Sequence, residues 1–310
     1  MGRKPKALVF GATGIQGKSV ARELLSRGWA VAAATRNVLS GTELALMGAT
    51  VIQLDMRDGS AVTTQAEAAD AVFIHLPLRP LGTAARGLAR LAVAALAPTK
   101  RPRIILSTNG PMPMGKARKN VPTMLEGVDE ALRMLSPMPV GWHVVTPGLM
   151  VEDVFRCSPV TEIVRTNKVR YPLPSDVKVR WTSSRRLAME VADILESIID
   201  GETPPSFVIP EMSGPVDGAQ LAKVIAKAVE ANGGIGGGMG AKESVLKFAY
   251  EAWDPDEYAD TLPDGFDGPF CDAIAELYEY YASKPEVLVP QEATKVPLTA
   301  ILDDVMTTEG

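Results

Sequence analysis

The sequence predicts an α/β protein: a doubly wound parallel sheet followed by a smaller, mostly helical C-terminal part. Three observations predict it. Short apolar runs alternate with segments of helical period over the first 150 residues, a glycine triplet joins the first run to the first helix, and the alternation weakens after about residue 150. The expected division is 1–150 and 151–310, with part of 182–210 returning to the first portion.

Ala7 to Phe10 is a short apolar run that fits a buried strand, and GATGIQG at 11–17 follows at once. Gly11 suits the tight turn, Gly14 lets a phosphate approach the backbone, and Gly17 lets helix pack on strand. From Lys18 the apolar positions Val20, Ala21, Leu24 and Leu25 recur at helical spacing, Gly28 stops the helix, and Trp29 to Ala34 reads as a second strand. Strand, glycine turn, helix and strand together form the context of a dinucleotide fingerprint, with pyrophosphate at the helix N-terminus. The second strand ends in Thr35, Arg36 and Asn37, where NAD-binding chains carry an acid. Arg36 therefore points to the 2′-phosphate of NADP, its alternative being a solvated loop charge.

Ser40 or Thr42 is expected to cap a short helix through Met47. Thr50 to Leu54 is the third strand, and Asp55, Met56, Arg57 and Asp58 form the loop at its carboxyl end. Asp55 suits the adenine amino group, with Met56 beside it, or is an ordinary turn aspartate. Ser60 precedes a helix over 61–69. Ala71 to Leu76 is the fourth strand, and His75 within it reads as a core imidazole in preference to a catalytic base. A helix follows over 82–97, and a fifth strand begins at Ile104 and ends in Ser107, Thr108 and Asn109, polar groups near the expected nicotinamide. The stretch 110–121 reads as a lid or a surface loop. Pro122 suits the first turn of the next helix, and Gly141 to Val145 is the sixth strand, followed by Pro147 and Gly148.

Further on, the patterns predict a short helix within 160–169, a strand over 177–181, helices over 187–199 and 216–230, a short strand at 207–209, a glycine loop at 232–240, and helices over 242–253, 268–281 and 298–306. The formal charge of −5 and the lack of a long basic run argue against a nucleic-acid grip. No apolar run approaches the roughly eighteen residues of a membrane span. The cysteines Cys157 and Cys271 and the histidines His75 and His143 have no metal-ligand spacing. Free thiols, no metal and a cytoplasmic location are the expectations.

In GATGIQG at 11–17, TRN at 35–37, DMRD at 55–58, STNG at 107–110 and TPGLMVED at 146–153, the chain resembles the NmrA-like members of the atypical short-chain dehydrogenase/reductases. The tail, with LYEYY at 277–281 and KVPLTAILDDV at 295–305, is similar too. The resemblance implies a Rossmann domain with a small substrate domain, and NADP(H) held by Gly11, Thr13, Gly14, Ile15, Gln16, Gly17, Arg36, Asp55 and Met56. It places Leu76, Pro77, Thr108 and Pro147 at the nicotinamide end. Such proteins include quinone and aromatic-ether reductases, and also NADP-binding redox sensors.

The chain departs from that pattern where chemistry is expected. No tyrosine precedes Tyr171, so the usual tyrosine–lysine pair is missing; Leu125 stands where isoflavone-type reductases carry a lysine, and Thr146 where an arginine is usual. The expected function is an NADPH-dependent oxidoreductase that reduces a small apolar carbonyl, quinone or imine. Thr108 or Asn109 would hold the substrate oxygen, and Lys116 or Lys119 would supply a cation or proton. The alternatives are a non-catalytic NADP-binding redox sensor and a non-redox biosynthetic enzyme. Expected partners are a small apolar or aromatic molecule, with a second copy of the chain or a regulatory protein as further alternatives.

Overall fold

The computed structural model describes residues 3–97, 103–113, 120–137, 141–231, 246–262, 268–290 and 293–306. The glycine run 232–240, the start of the helix expected over 242–253, and Lys116 and Lys119 lie outside them. The chain forms two compact units, Met1–Pro147 with Ser184–Pro210, and Gly148–Ser183 with Glu211–Gly310.

The first unit is built on a seven-stranded, wholly parallel sheet. Its strands are β1 (Lys6–Val9), β2 (Ala30–Thr35), β3 (Thr50–Gln53), β4 (Ala71–His75), β5 (Arg103–Ser107), β6 (Trp142–Val145) and β7 (Phe207–Val208). They lie in the order β7-β6-β5-β4-β1-β2-β3. The register sets Leu8 beside Val72 and Ala32, and Leu106 beside Ile74 and Val144. The centres of the inner strands are apolar because helices cover both faces of a parallel sheet. Leu8, Val72, Ile105, Leu106, Val144 and Val145 are fully buried.

Helix α1 (Ile15–Ser26) buries Val20, Ala21 and Leu24 against the sheet and packs along the long helix Ser184–Ile199. Ala188 and Ala192 of that helix are buried. Ser19 and Ser184 share a hydrogen bond of 2.8 Å, and Arg27 bridges Glu23, Asp193 and Glu196 at 2.5–2.8 Å. The return of 184–210 to this unit follows from that helix and from β7, which extends the sheet beside β6.

Local capping differs from the sequence reading in one place. The expected short helix is Thr42–Leu46, and neither Ser40 nor Thr42 caps it: its N-cap is Gly41, without a side-chain bond. Asn37 caps the preceding turn Val38–Gly41 by accepting from Leu39 N, and Asp58 caps the helix Gly59–Glu67 by accepting from Ala61 N.

The second unit joins helices to three two-stranded parallel ladders: Leu149–Met150 with Trp181–Thr182, Lys168–Tyr171 with Ala249–Ala252, and Met212–Ser213 with Lys295–Val296. The segment 249–252, expected to be helical, is therefore a strand, and the strand expected over 177–181 shrinks to Trp181–Thr182 with a bridge at Val179. Helix Pro255–Asp260 follows at once, capped by Asp254, which accepts from Asp256 N and Glu257 N.

Tyr250 explains why 249–252 is extended. Its hydroxyl donates to Leu173 O at 2.8 Å and its ring covers Gly218, where a methyl group would meet the ring at 2.4 Å. Gly218→Ala in an ordinary helix stabilises by about 1 kcal/mol. Here the anchored ring cannot yield, and the substitution is expected to lower unfolding free energy by about 1–3 kcal/mol in chemical denaturation; a gain in stability would show that the ring moves freely.

Candidate functional site

The site grows from the end of β1. Phe10 N donates to Phe73 O at 2.9 Å, and the chain then turns at Gly11, whose φ of +66° lies in the left-handed region that glycine adopts without strain. Gly14 N donates back to Gly11 O at 2.9 Å, closing the turn. A methyl group on Gly17 would lie 2.2 Å from Gly11 O, so a side chain there would displace the turn or the helix. Helix α1 starts at Ile15 with no side-chain cap and no acidic residue in its first turn. Its first N–H groups and the positive end of its dipole are thus open to an anion.

Strand order reverses between β1 and β4, and ligands of open α/β sheets bind at that reversal, outside the carboxyl ends of the strands. On the β2 and β3 side stand Arg36, exposed and without a salt bridge or side-chain hydrogen bond among the described residues, and Asp55. Arg57 grips Asp55 through Nε and Nη2, and this pairing, with Arg36 nearby, holds the Asp55 carboxyl at a pKa of about 2. Asp55 is therefore a charged acceptor already held by Arg57. Met56 lies half-buried in the same loop.

On the other side, β5 ends in a chain of polar contacts. Ser107 Oγ donates to Gln16 Oε1 at 2.6 Å, Gln16 Nε2 donates to Asn109 O at 2.9 Å, and Asn109 Nδ2 donates to Leu76 O at 3.2 Å. The start of α1 is thereby tied to the ends of β5 and β4. Asn109 has a φ of +69°, a conformation its short amide side chain tolerates. It lines a small apolar recess with Leu76, Pro77, Pro80, Ala85, Leu88, Met124 and Val128.

Among the described residues, two buried polar atoms at this edge have no hydrogen-bond partner: Asn109 Oδ1 after β5 and Thr146 Oγ1 after β6. Each such vacancy costs about 1–3 kcal/mol, a cost that native proteins tolerate mainly where a ligand or water fills it. Thr108 corrects the expectation placed on it. It is fully buried and its hydroxyl donates to Gly110 O at 2.7 Å, so its proton serves the loop, not a substrate. Leu76 and Pro147 are buried, Thr13 and Gly14 exposed. Lys116 lies outside the described residues.

His75 is not the core imidazole that its place in a strand suggests. It is the last residue of β4, beside Ser107 in register, and is partly exposed. Burial nonetheless pulls its pKa down to about 4, so the ring is neutral at pH 7. His143 is the core histidine: it is buried, and Nδ1 hydrogen-bonds with Pro205 O at 2.9 Å.

The second unit carries its own polar and aromatic cluster. Tyr171 meets Trp181 and Tyr278 edge-on at 5.2 and 5.6 Å, and Tyr258 meets Tyr278 at 5.7 Å. Asp153, paired loosely with Arg156 at 3.8 Å, is raised to about pH 6 by burial. Its side chain is still 38% exposed, which describes a carboxyl in a recess, open to solvent and ringed by protein. Burial lifts the Cys157 thiol to about 12, so it is an unreactive thiol. Among the described residues no group of three His, Cys, Asp or Glu can hold a metal, and no helix is long and apolar enough to cross a membrane.

The family model of the NmrA-like family matches residues 3–232. The chain belongs to the NmrA-like family. A search of curated proteins finds no match. Among solved structures, the chain is similar to an NADPH-dependent quinone oxidoreductase from Escherichia coli in complex with NADPH, at 16% identity, 97% and 99% coverage of the two chains and a TM-score of 0.66. It is similar to the triphenylmethane reductase of Citrobacter sp. complexed with NADP(H), at 16% identity, 97% and 99% coverage and a TM-score of 0.64. It is also similar to NmrA, a negative transcriptional regulator, in complex with NADP, at 14% identity, 99% and 92% coverage and a TM-score of 0.66. At these identities the likeness shows the NAD(P)-binding Rossmann fold and does not choose among their activities.

The titrations of His75 and Asp153 oppose each other. Between pH 4 and 6.5 the unfolded chain binds more protons at His75 than the folded one, so this residue adds stability as pH rises. Between pH 3.8 and 6 the folded chain binds more protons at Asp153, which therefore removes stability as pH rises. Relative to wild type, His75→Gln is expected to be more favourable at pH 4.5 than at pH 7, and Asp153→Asn more favourable at pH 7 than at pH 4.5. Urea denaturation of the three proteins at both pH values reads this; differences independent of pH would contradict both assignments.

Proposed function

We propose that the first unit binds NADPH and that the protein is an NADPH-dependent reductase of a small apolar carbonyl, quinone or imine. The observation that carries this is the crevice at the reversal of strand order: an uncapped helix end over a glycine turn, with unpartnered buried polar atoms at Asn109 and Thr146. The similar structures from E. coli and Citrobacter, named with NADPH and NADP(H), support the same reading.

The residues fit such a cofactor. Gly11, Gly14 and Gly17 would receive the pyrophosphate on the N–H groups of Ile15, Gln16 and Gly17, with Thr13 at the turn's open rim. Arg36 would meet the 2′-phosphate, and Met56 and Asp55 would face the adenine, where Asp55 stays ionised through Arg57. A nicotinamide carboxamide carries an NH2 donor group and a carbonyl acceptor, the complement of Asn109 Oδ1 and the Thr146 hydroxyl. Leu76, Pro77 and Pro147 would give that end an apolar wall that excludes water.

When bound and reduced, the cofactor supplies a hydride. The chain's part is to hold the dinucleotide and an apolar substrate in a dry crevice, since the first unit contains no tyrosine at all. That lack favours a quinone, whose two-electron product is a stabilised anion that takes its proton from solvent and needs no strong acid from the protein. It also favours a second reading, an NADP-responsive regulator without turnover, of which the likeness to the regulator NmrA is the further support.

Loss of absorbance at the reduced-nicotinamide band is expected with quinones and not with the cofactor alone. Tight NADPH binding with no turnover across quinones, aromatic ketones and imines would favour the regulator instead. Arg36→Asp should weaken NADPH binding by about tenfold or more, roughly 1.4 kcal/mol, while leaving NADH nearly unchanged. An unaltered preference in competitive titration would remove Arg36 from the site.

A further inference from the structure

The crevice has a glycine on one wall and an imidazole on the other. Gly11 closes the β1 side of the strand reversal, and His75 is the last residue of β4, the strand beside it. A methyl group on Gly11 would lie 3.1 Å from His75 O and 3.3 Å from both its Cβ and its Nδ1. The ring therefore stands directly against the turn that would carry the pyrophosphate.

Neither ring nitrogen has a hydrogen-bond partner among the described residues, and neither is sealed from solvent. That is unusual for an imidazole so enclosed, and it separates His75 from His143, whose Nδ1 is satisfied by Pro205. A neutral imidazole always presents one N–H donor and one acceptor. An enclosed donor beside a phosphate-accepting turn is suited to an oxygen-rich ligand.

We propose that His75 is a direct ligand of the bound dinucleotide, donating one hydrogen bond from its neutral imidazole to an oxygen of the pyrophosphate–ribose segment that crosses Gly11. This rests on the reading that the glycine turn holds NADP(H). It gives β4 a role distinct from that of Arg36: His75 recognises what NADP and NAD share, whereas Arg36 distinguishes them. It also explains how the crevice holds the middle of the cofactor on the side where no helix end is available. Approach of the anionic pyrophosphate favours the protonated ring, so occupancy raises the His75 pKa from its low unliganded position.

The chain has two histidines, so histidine-labelled protein gives two imidazole signals, and the one missing in His75→Gln is assigned to His75. NADP+ is expected to shift the His75 signal and move its titration midpoint upward while leaving the His143 signal in place. In calorimetry His75→Phe is expected to bind NADP+ and NAD+ about five- to tenfold more weakly, by the same factor for both, and His75→Gln, which retains a donor, to recover most of the loss. If wild-type protein binds NADP+ in the calorimeter and the His75 signal does not move, or moves only when a quinone is then added, the proposal is overturned and the cofactor reading stands. If wild-type protein binds no NADP+ at all, the cofactor reading falls and this proposal with it.

Discussion

Helix α1 approaches strand β1 through backbone, not through side chains. The contact of Gly17 with the Gly11 carbonyl leaves no room for a methyl group, and the Gln16 side chain beside it is spent on Ser107 and Asn109. Because the helix starts so close to the strand end, its free N–H groups open into the strand reversal and not into bulk water. The rest of the first unit depends on this approach. The parallel register brings β4 and β5 to end at the same level, and the Gln16, Ser107, Asn109 and Leu76 contacts clamp those ends to the helix.

The two sides of the crevice differ in chemistry. Toward β3 it is charged and exposed, with the guanidinium groups of Arg36 and Arg57 and a carboxylate at Asp55 that stays ionised far below neutral pH. Toward β5 and β6 an apolar recess adjoins the polar contacts at the strand ends, with two buried polar atoms that have no partner among the described residues. A ligand with a phosphorylated end and a flat carboxamide end matches this asymmetry, whereas a small uniform metabolite would leave one side unused. The second unit adds Asp153 in its own recess among tyrosines, where burial and not a partner sets the charge.

Most of the first unit was legible from sequence because its signals are local. Each strand is an apolar run, each helix follows within a few residues, and GATGIQG carries its own geometry. The cofactor-facing residues on that motif are placed by the turn itself. What sequence could not show were the directions of individual side chains. Thr108 and Asn109 are adjacent and both polar, yet one hydroxyl turns into the loop and the other side chain faces the recess, a difference set by the positive φ of Asn109. His75 sits in an apolar strand, which suggests a core residue, although its position at the strand's last residue is the available signal. The second unit is less legible for a different reason. Its short ladders pair residues some eighty positions apart, as Tyr171 does with Ala252, and no local window reports such a pairing.

Dinucleotide binding at the glycine turn is tested most directly by calorimetric titration of the purified protein with NADPH. One saturable site per chain is predicted for wild type, and no detectable binding for Gly17→Val that retains the wild-type circular dichroism spectrum. Binding that survives Gly17→Val, or none in wild type, would contradict it.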